Sequence, residues 1–457
     1  MSFHLLERYK ESRCLQTSEN DFISYIDLAK RSDEIVKHLP NRSLFILYFE
    51  ASIDCIAVYL GALRNNHVAL LIDPFLDEVL KDKIINKFRI KFKFDGKEWS
   101  KTKFWNESKN VFNKNLNILL STSGSTGSPK LIKISKKNLV ANANSIVEYL
   151  GLNKDDRAIS SLPLHYSYGL SVLNTHLLVG AKFYLTNLPV TNKKFWSFFK
   201  ENKITSMSGV PATWRILRKL FFDRMDLSSL KFITQAGGKL SNEEVKWLAK
   251  LGNNFNCKVF IMYGQTEATA RISYLKPEMI LEKCGSIGKV IPNGKLYLKG
   301  ENNKTINKSN KEGELIYKGE NVMIGYASEI SDLKTSSINK ELHTGDLAYF
   351  DKDGYFWITG RKKRFIKIFG NRVSMDDIES FLYEKGFESS VIGMDDKLII
   401  VLNNEENISS DDLVSLLSNF YKIHFSAIEV MRIDTIPRTS SGKTEYNKLS
   451  EICGLSF

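Results

Sequence analysis

The sequence predicts an α/β chain: a large N-terminal domain of layered sheets and helices that carries a β-rich subdomain, followed by a small α+β C-terminal domain. Three observations predict it. Strand-length apolar runs alternate with helix-period segments from residue 44 to about residue 261, the pattern of largely parallel sheets covered by helices. Beyond about residue 285 short strands follow one another between Gly, Asn and Lys turns. Past the basic run Arg361-Lys-Lys-Arg364 the pattern becomes helix, two strands, helix, strand. We therefore expect a boundary near 361, with domains over 1–360 and 361–457.

Residues 22–39 set Ile26, Leu28, Ile35, Val36 and Leu39 on one helical face, which Pro40 and Asn41 end. Leu44 to Phe49 reads as a buried strand, 52–63 as a helix, and Val68 to Ile72 as a strand ending at Asp73-Pro74. Leu116 to Leu120 is strand-like, and Lys130 to Ile134 alternates as its hairpin partner. Strands at 157–162, 181–185, 204–208, 231–235 and 257–261 then interleave with helices at 169–178, 193–201, 211–220 and 241–251. The β-rich region has strands at 293–301, 313–318 and 348–358. The last unit places helices at 375–385 and 410–419 and strands at 389–393, 397–402 and 428–433.

Composition narrows the function. With 457 residues and 43% apolar content, the chain can bury a substantial core. No apolar run approaches the ~18 residues of a membrane helix, so no membrane insertion is expected. An early acid and no small-residue cleavage site argue against a signal peptide. Five scattered cysteines suggest a reducing compartment, and we expect a cytoplasmic protein. Seven histidines without close pairing give no zinc pattern. The net charge of +13 is spread along the chain, which does not make a nucleic-acid stripe but suits anionic nucleotides, coenzyme A or an acidic carrier protein.

The most informative stretch is Ser121-Thr-Ser-Gly-Ser-Thr-Gly-Ser-Pro-Lys130, between two strands. Its glycines let the backbone approach an anion, its hydroxyls and N–H groups face phosphate oxygens, and Lys130 adds a point charge. The spacing is not that of the P-loop NTPases. Tyr263-Gly-Gln-Thr-Glu267 follows an apolar strand, where α/β proteins bind ligands; Tyr offers a face for a base, Thr266 a hydroxyl and Glu267 a hard oxygen for Mg²⁺. Taken alone it also reads as a capped strand-to-helix turn. Gln235-Ala-Gly-Gly-Lys239 and Gly285-Ser-Ile-Gly288 are further small-residue turns. Asp346, after His343-Thr-Gly, could accept from a ribose diol or close an Asx turn. Lys443 sits in a Ser-Gly-Lys loop and alone is one more surface lysine.

Together these motifs resemble the AMP-forming adenylating enzymes: acyl- and aryl-CoA synthetases, adenylation domains of nonribosomal peptide synthetases, and luciferases. The resemblance runs from about residue 22 to 449, in the family's order and approximate spacing. It implies that Thr122, Ser123, Gly124, Ser125, Thr126, Gly127 and Lys130 hold the ATP phosphates. Gly237 and Gly238 would line the adenine and acyl pocket, Tyr263 and Gly264 would meet the adenine, and Asp346 with Arg361 would hold the ribose. Thr266 would contact phosphate, Glu267 would hold Mg²⁺, and Lys443 would bridge the acyl carboxylate and the nucleotide. It further implies a mobile C-terminal domain that swings about Lys363, bringing Lys367 and Gly370 to a thiol channel for coenzyme A or a phosphopantetheine arm.

Some residues depart from the family's pattern. Leu162-Pro-Leu-His-Tyr-Ser-Tyr-Gly169 places Tyr166 where a histidine gate is usual, with His165 one position earlier; we expect His165, Tyr166, Gly238 and Gly288 at the acyl pocket, His165 either as a substrate contact or as a structural histidine. The Asp that pairs an α-ammonium in peptide-synthetase domains has no counterpart, which argues against an α-amino acid. Lys239 replaces a glutamate, favouring a polar or anionic acid or facing solvent. The reading is an ATP-dependent ligase of a small carboxylic acid to a thiol. A non-thiol acceptor and a non-catalytic nucleotide-binding regulator remain open alternatives.

Overall fold

The computed structural model describes residues 2–107, 111–121, 130–335, 341–369, 371–439 and 442–455. Two sheets dominate the first 290 residues. One has nine strands, with a parallel centre running through Arg13–Thr17, Lys182–Leu185, Arg157–Ile159, Ser206–Gly209, Phe232–Gln235 and Lys258–Tyr263. The other has seven, with Leu44–Tyr48, Val68–Ile72 and Ile118–Ser121 parallel at its middle. Antiparallel strands finish both edges, as the hairpin of Ile118–Ser121 and Leu131–Ile134 does.

Helix Ile53–Arg64 carries no polar face: Cys55 through Leu63 are all buried. A helix apolar all round belongs inside, and here it joins a single core that takes Phe45, Leu47 and Leu71 from one sheet and Phe183 and Leu185 from the other. Its neighbour Tyr25–Val36 begins later than the periodicity predicts, because Phe22–Ser24 is a short strand and Ser24 caps the helix. The β-rich region is a five-stranded sheet. What the sequence suggests as one strand at 348–358 is a hairpin, Leu342–Phe350 and Phe356–Arg361, since Gly354, at φ 76°, turns the chain between them.

Beyond that hairpin, a three-stranded sheet and helices Met375–Glu384 and Ser410–Tyr421 enclose their own apolar core around Ile378, Ile400 and Leu417. The hairpin Phe365–Ile368 and Asn371–Ser374 precedes it. This unit touches the rest of the molecule through a polar contact: Tyr383 Oη donates to Glu244 Oε1 (2.7 Å), which also accepts from Arg215 Nε (2.7 Å), and the Arg215 guanidinium lies 4.2 Å from the Tyr383 ring centroid. Lys239 belongs to the same seam. It is exposed, as the solvent-facing reading expects, and its charge pulls down the carboxyl of Asp377, which burial pushes up.

Candidate active site

The parallel strands Ser206–Gly209, Phe232–Gln235 and Lys258–Tyr263 end side by side, and the motif residues follow from their carboxyl ends. At Gly264 any Cβ would lie 1.8 Å from the carbonyl oxygen of Ala270, so only glycine lets the chain double back there. At Gly237, with φ 86°, a Cβ would stand 2.8 Å from Tyr166 Oη. Gly238 lies against Pro211, and its carbonyl accepts from Gln235 Nε2 (2.8 Å). Gly288 is hemmed in by the backbone of Tyr274 and bridges Phe356, a packing reason for glycine that needs no ligand.

Asp346 and Arg361 face each other across a hairpin register, with Arg361 Nε 3.3 Å from Asp346 Oδ1. Tyr263 Oη donates to Asp346 Oδ2, and Gln265 Nε2 donates to the same oxygen (3.0 Å) and to the Thr344 carbonyl (2.9 Å). Burial pushes the Asp346 carboxyl above its ordinary range, and Arg361, Tyr263 and Gln265 pull it back. Thr266 Oγ1 stands 3.2 Å from Ser167 Oγ, at the start of helix Ser167–Val179. Glu267 Oε1 accepts from Tyr326 Oη (3.0 Å), and the Lys130 ammonium sits 3.6 Å from the centroid of the Tyr326 ring.

Lys443 arrives from the far unit. Its loop is tied by Gly442 N–H to the Thr439 carbonyl and Thr439 N–H to the Lys443 carbonyl (both 2.8 Å), and a Cβ on Gly442 would lie 3.2 Å from that of Ala212. The ammonium stands 5.5 Å from the Tyr166 ring centroid. Burial depresses its pKa, and so does Arg361, whereas Glu267 and Asp346 raise it. A lysine that reads alone as a surface residue thus converges with Glu267, Asp346, Arg361 and Tyr166. His165 Nε2 lies 3.5 Å from Asp73 Oδ2, and burial lowers its pKa while Asp73 raises it.

Several expectations fall elsewhere. Residues 122–129 and Gly370 lie outside the described residues, as does the side chain of Lys363. Lys367 is exposed on the hairpin, its N–H bonded to Asp395 Oδ1 (2.8 Å). Sequence reasoning missed Gln265 and Tyr326. Gln265 occupies the unspecified position of its motif; Tyr326 reaches Glu267 only because Gly325–Ala327 pairs with Leu131–Ile134.

Among the described residues no three His, Cys, Asp or Glu side chains gather. Glu267 is a single hard carboxylate that shares the Tyr326 side chain with Lys130. That suits Mg²⁺, which commonly takes one or two protein carboxylates and completes its shell with phosphates and water.

A layered α/β body, a cradle at strand ends and a lysine delivered by a separate unit define an enzyme that activates acids with a nucleotide. The sequence profile of the AMP-binding enzyme family matches residues 77–327, and the chain belongs to that family. It is 29% identical over 361 residues to a 2-succinylbenzoate–CoA ligase of Staphylococcus aureus, covering 74% of this chain and 69% of that one. It is 26% identical over 345 residues to an indoleacetate–CoA ligase of Aromatoleum aromaticum, covering 73% and 67%. Its fold is similar to o-succinylbenzoate CoA synthetase of Bacillus subtilis in complex with an acyl-adenylate, with a TM-score of 0.82, 21% identity and 98% of both chains covered.

Proposed function

We propose a division of labour for this ATP-dependent, AMP-forming acid–thiol ligase, in which Lys443 is the cation of adenylation. The observation that carries the reading is the burial of the Lys443 ammonium beside the Tyr166 ring, where the charges of Glu267, Asp346 and Arg361 all act on it. A carboxylate is a poor electrophile, because its charge is delocalised and repels nucleophiles. Attack of its oxygen on the α-phosphorus of ATP forms the acyl–AMP anhydride and expels pyrophosphate. Negative charge grows on phosphate oxygens, so preorganised cations carry much of the rate. Lys443 would stabilise that charge and hold the acid's oxygen in line. Glu267 would hold Mg²⁺, which supplies further neutralisation when bound. Asp346 would accept from the ribose hydroxyls, with Tyr263 held by its edge so that its face is offered to the base. The loop 122–129 and Lys130 would cradle the outer phosphates.

A thiol then attacks the acyl carbonyl and AMP leaves. We take coenzyme A as the acceptor, in keeping with the relatives' chemistry; a carrier-protein phosphopantetheine presents the same thiol. The swing of residues 361–457 about Lys363, with Lys367 and Gly370 brought toward the thiol, belongs to the same reading, as does a cytoplasmic setting. ATP–pyrophosphate exchange with a panel of carboxylic acids tests it. Lys443→Ala should lower exchange by roughly 10²–10³ while ATP still binds; near-normal exchange would remove Lys443 from this role.

A further inference from the structure

The chain passes from the large unit to the small one between Arg361 and Phe365. Strand Phe356–Arg361 lies at the edge of its five-stranded sheet, and its last amide, that of Arg361, donates to Asp376 Oδ2 (3.1 Å). Asp376 belongs to the first turn of helix Met375–Glu384, in the small unit. Its other oxygen, Oδ1, accepts from Arg364 Nε. One carboxylate thus holds the chain on both sides of Lys363, by main chain before it and by side chain after it. Both bonds are charge-assisted, the stronger kind.

From Arg364 the contacts lead to the loop of the reacting lysine. Arg364 Nη2 donates to Glu379 Oε1 (2.8 Å), which also accepts from Val391 N–H (2.7 Å). Tyr446 Oη donates to Glu379 Oε2 (2.9 Å), and the Arg364 guanidinium lies 3.9 Å from the Tyr446 ring centroid. Tyr446 is three residues past Lys443, and between them Thr444 Oγ1 stands 3.2 Å from Ser390 Oγ. Every one of these groups except the Arg361 amide lies within residues 364–446. A turn of the chain at Lys363 would leave them joined and part Asp376 from the Arg361 amide. That amide is itself anchored in the large unit, since Arg361 stands opposite Asp346 in the hairpin, with its Nε 3.3 Å from Oδ1.

We infer that Asp376 is a positioning residue for adenylation: its bond to the Arg361 amide holds the small unit where Lys443 reaches the nucleotide, and that bond must open before the thioester step. This rests on the swing about Lys363 proposed above. The first test is nicking by trypsin within Arg361-Lys-Lys-Arg364, which needs no acid. Cleavage follows the population in which the segment is released. Asp376→Asn keeps one acceptor oxygen for two donors. It should be nicked there roughly three- to tenfold faster than wild type, with cutting elsewhere unchanged. Asp376→Glu, which keeps the carboxylate, should fall between the two and serves if Asp376→Asn does not fold. With the acid that supports pyrophosphate exchange, rapid quench should show adenylation in Asp376→Asn slowed by a similar factor, and thioester formation from preformed acyl-adenylate no slower. A merely structural loss would speed cutting throughout and slow both steps. That result, or nicking unchanged in a folded variant, overturns the assignment. Lys363→Pro separates this failure from that of the swing. If it leaves thioester formation at the wild-type rate, the swing falls and the role of Asp376 with it; if it stalls thioester formation while Asp376→Asn leaves nicking unmoved, the role of Asp376 alone falls.

Discussion

The ammonium of Lys443 works under opposed influences. Burial and Arg361 favour the neutral amine, while Glu267 and Asp346 favour the cation. Its pKa therefore lies below the ordinary 10.5, and the charge needed for adenylation is lost earlier on the alkaline side than for a surface lysine. Pyrophosphate exchange should fall with rising pH along a limb centred below 10.5. In Lys443→Arg, whose guanidinium does not titrate in that range, the limb should vanish even if the rate drops. A limb of unchanged position in that variant would assign it to another group. At this scale the sequence discloses residues whose chemistry travels with a local motif, such as Glu267 behind Tyr263-Gly. It hides those whose meaning is a distant neighbour. Tyr326 acquires its place from strand register, and Arg271, in irregular chain before strand Ser273–Leu275, gives no local sign that it is buried.

At the scale of elements, the contact between helices Met375–Glu384 and Asn242–Asn254 sets how firmly the small unit rests on the large one. Glu244 also caps its own helix, accepting from Ser241 N–H (2.8 Å), and keeps Arg215 as a partner. Separation of the two units therefore gives up the Tyr383 hydrogen bond and the Arg215–Tyr383 ring contact, while Glu244 keeps Arg215 and the Ser241 N–H. Tyr383→Phe should remove about 0.5–1.5 kcal/mol from the arrangement that presents Lys443. Adenylation should slow by up to about tenfold, with thioester formation from preformed acyl-adenylate no slower. Rapid-quench measurement of each half-reaction separates them, and equal slowing of both would argue against a positional role. Periodicity marks strands Leu44–Tyr48, Val68–Ile72 and Gly313–Lys318 to within a residue or so, because burial on both faces, or clean alternation, leaves a plain trace. Helix Lys136–Leu150 escapes the pattern because its buried face includes Asn138, Asn142 and Ser145, whose side chains bond distant carbonyls. The hairpin Phe365–Ile368 and Asn371–Ser374 escapes because its strands are too short and too basic to alternate visibly.

For the molecule as a whole, acid should be the weak side. His4 and His67 are buried, and burial is the largest cause that lowers each to about 4. Folded, both imidazoles stay neutral down to that value; unfolded, they take a proton below the ordinary 6.5. The unfolded chain therefore binds more protons across this window, and stability falls as pH is lowered through it. His67 Nδ1 accepts from Ser43 N–H (3.1 Å), a role a glutamine oxygen can take over. His67→Gln should shrink the loss of Tm between pH 6.5 and about 4 by roughly 2–4 °C, read by calorimetry; an unchanged loss would place the acid sensitivity elsewhere. The clamp made by Asn321 bears on how such a molecule can change over generations. Its side-chain amide donates to the main-chain carbonyls of Ala268 (2.7 Å) and Arg271 (2.9 Å), not to the side chain at 271. A lineage can therefore exchange the side chain at 271 without disturbing the main-chain bonds that hold the turn.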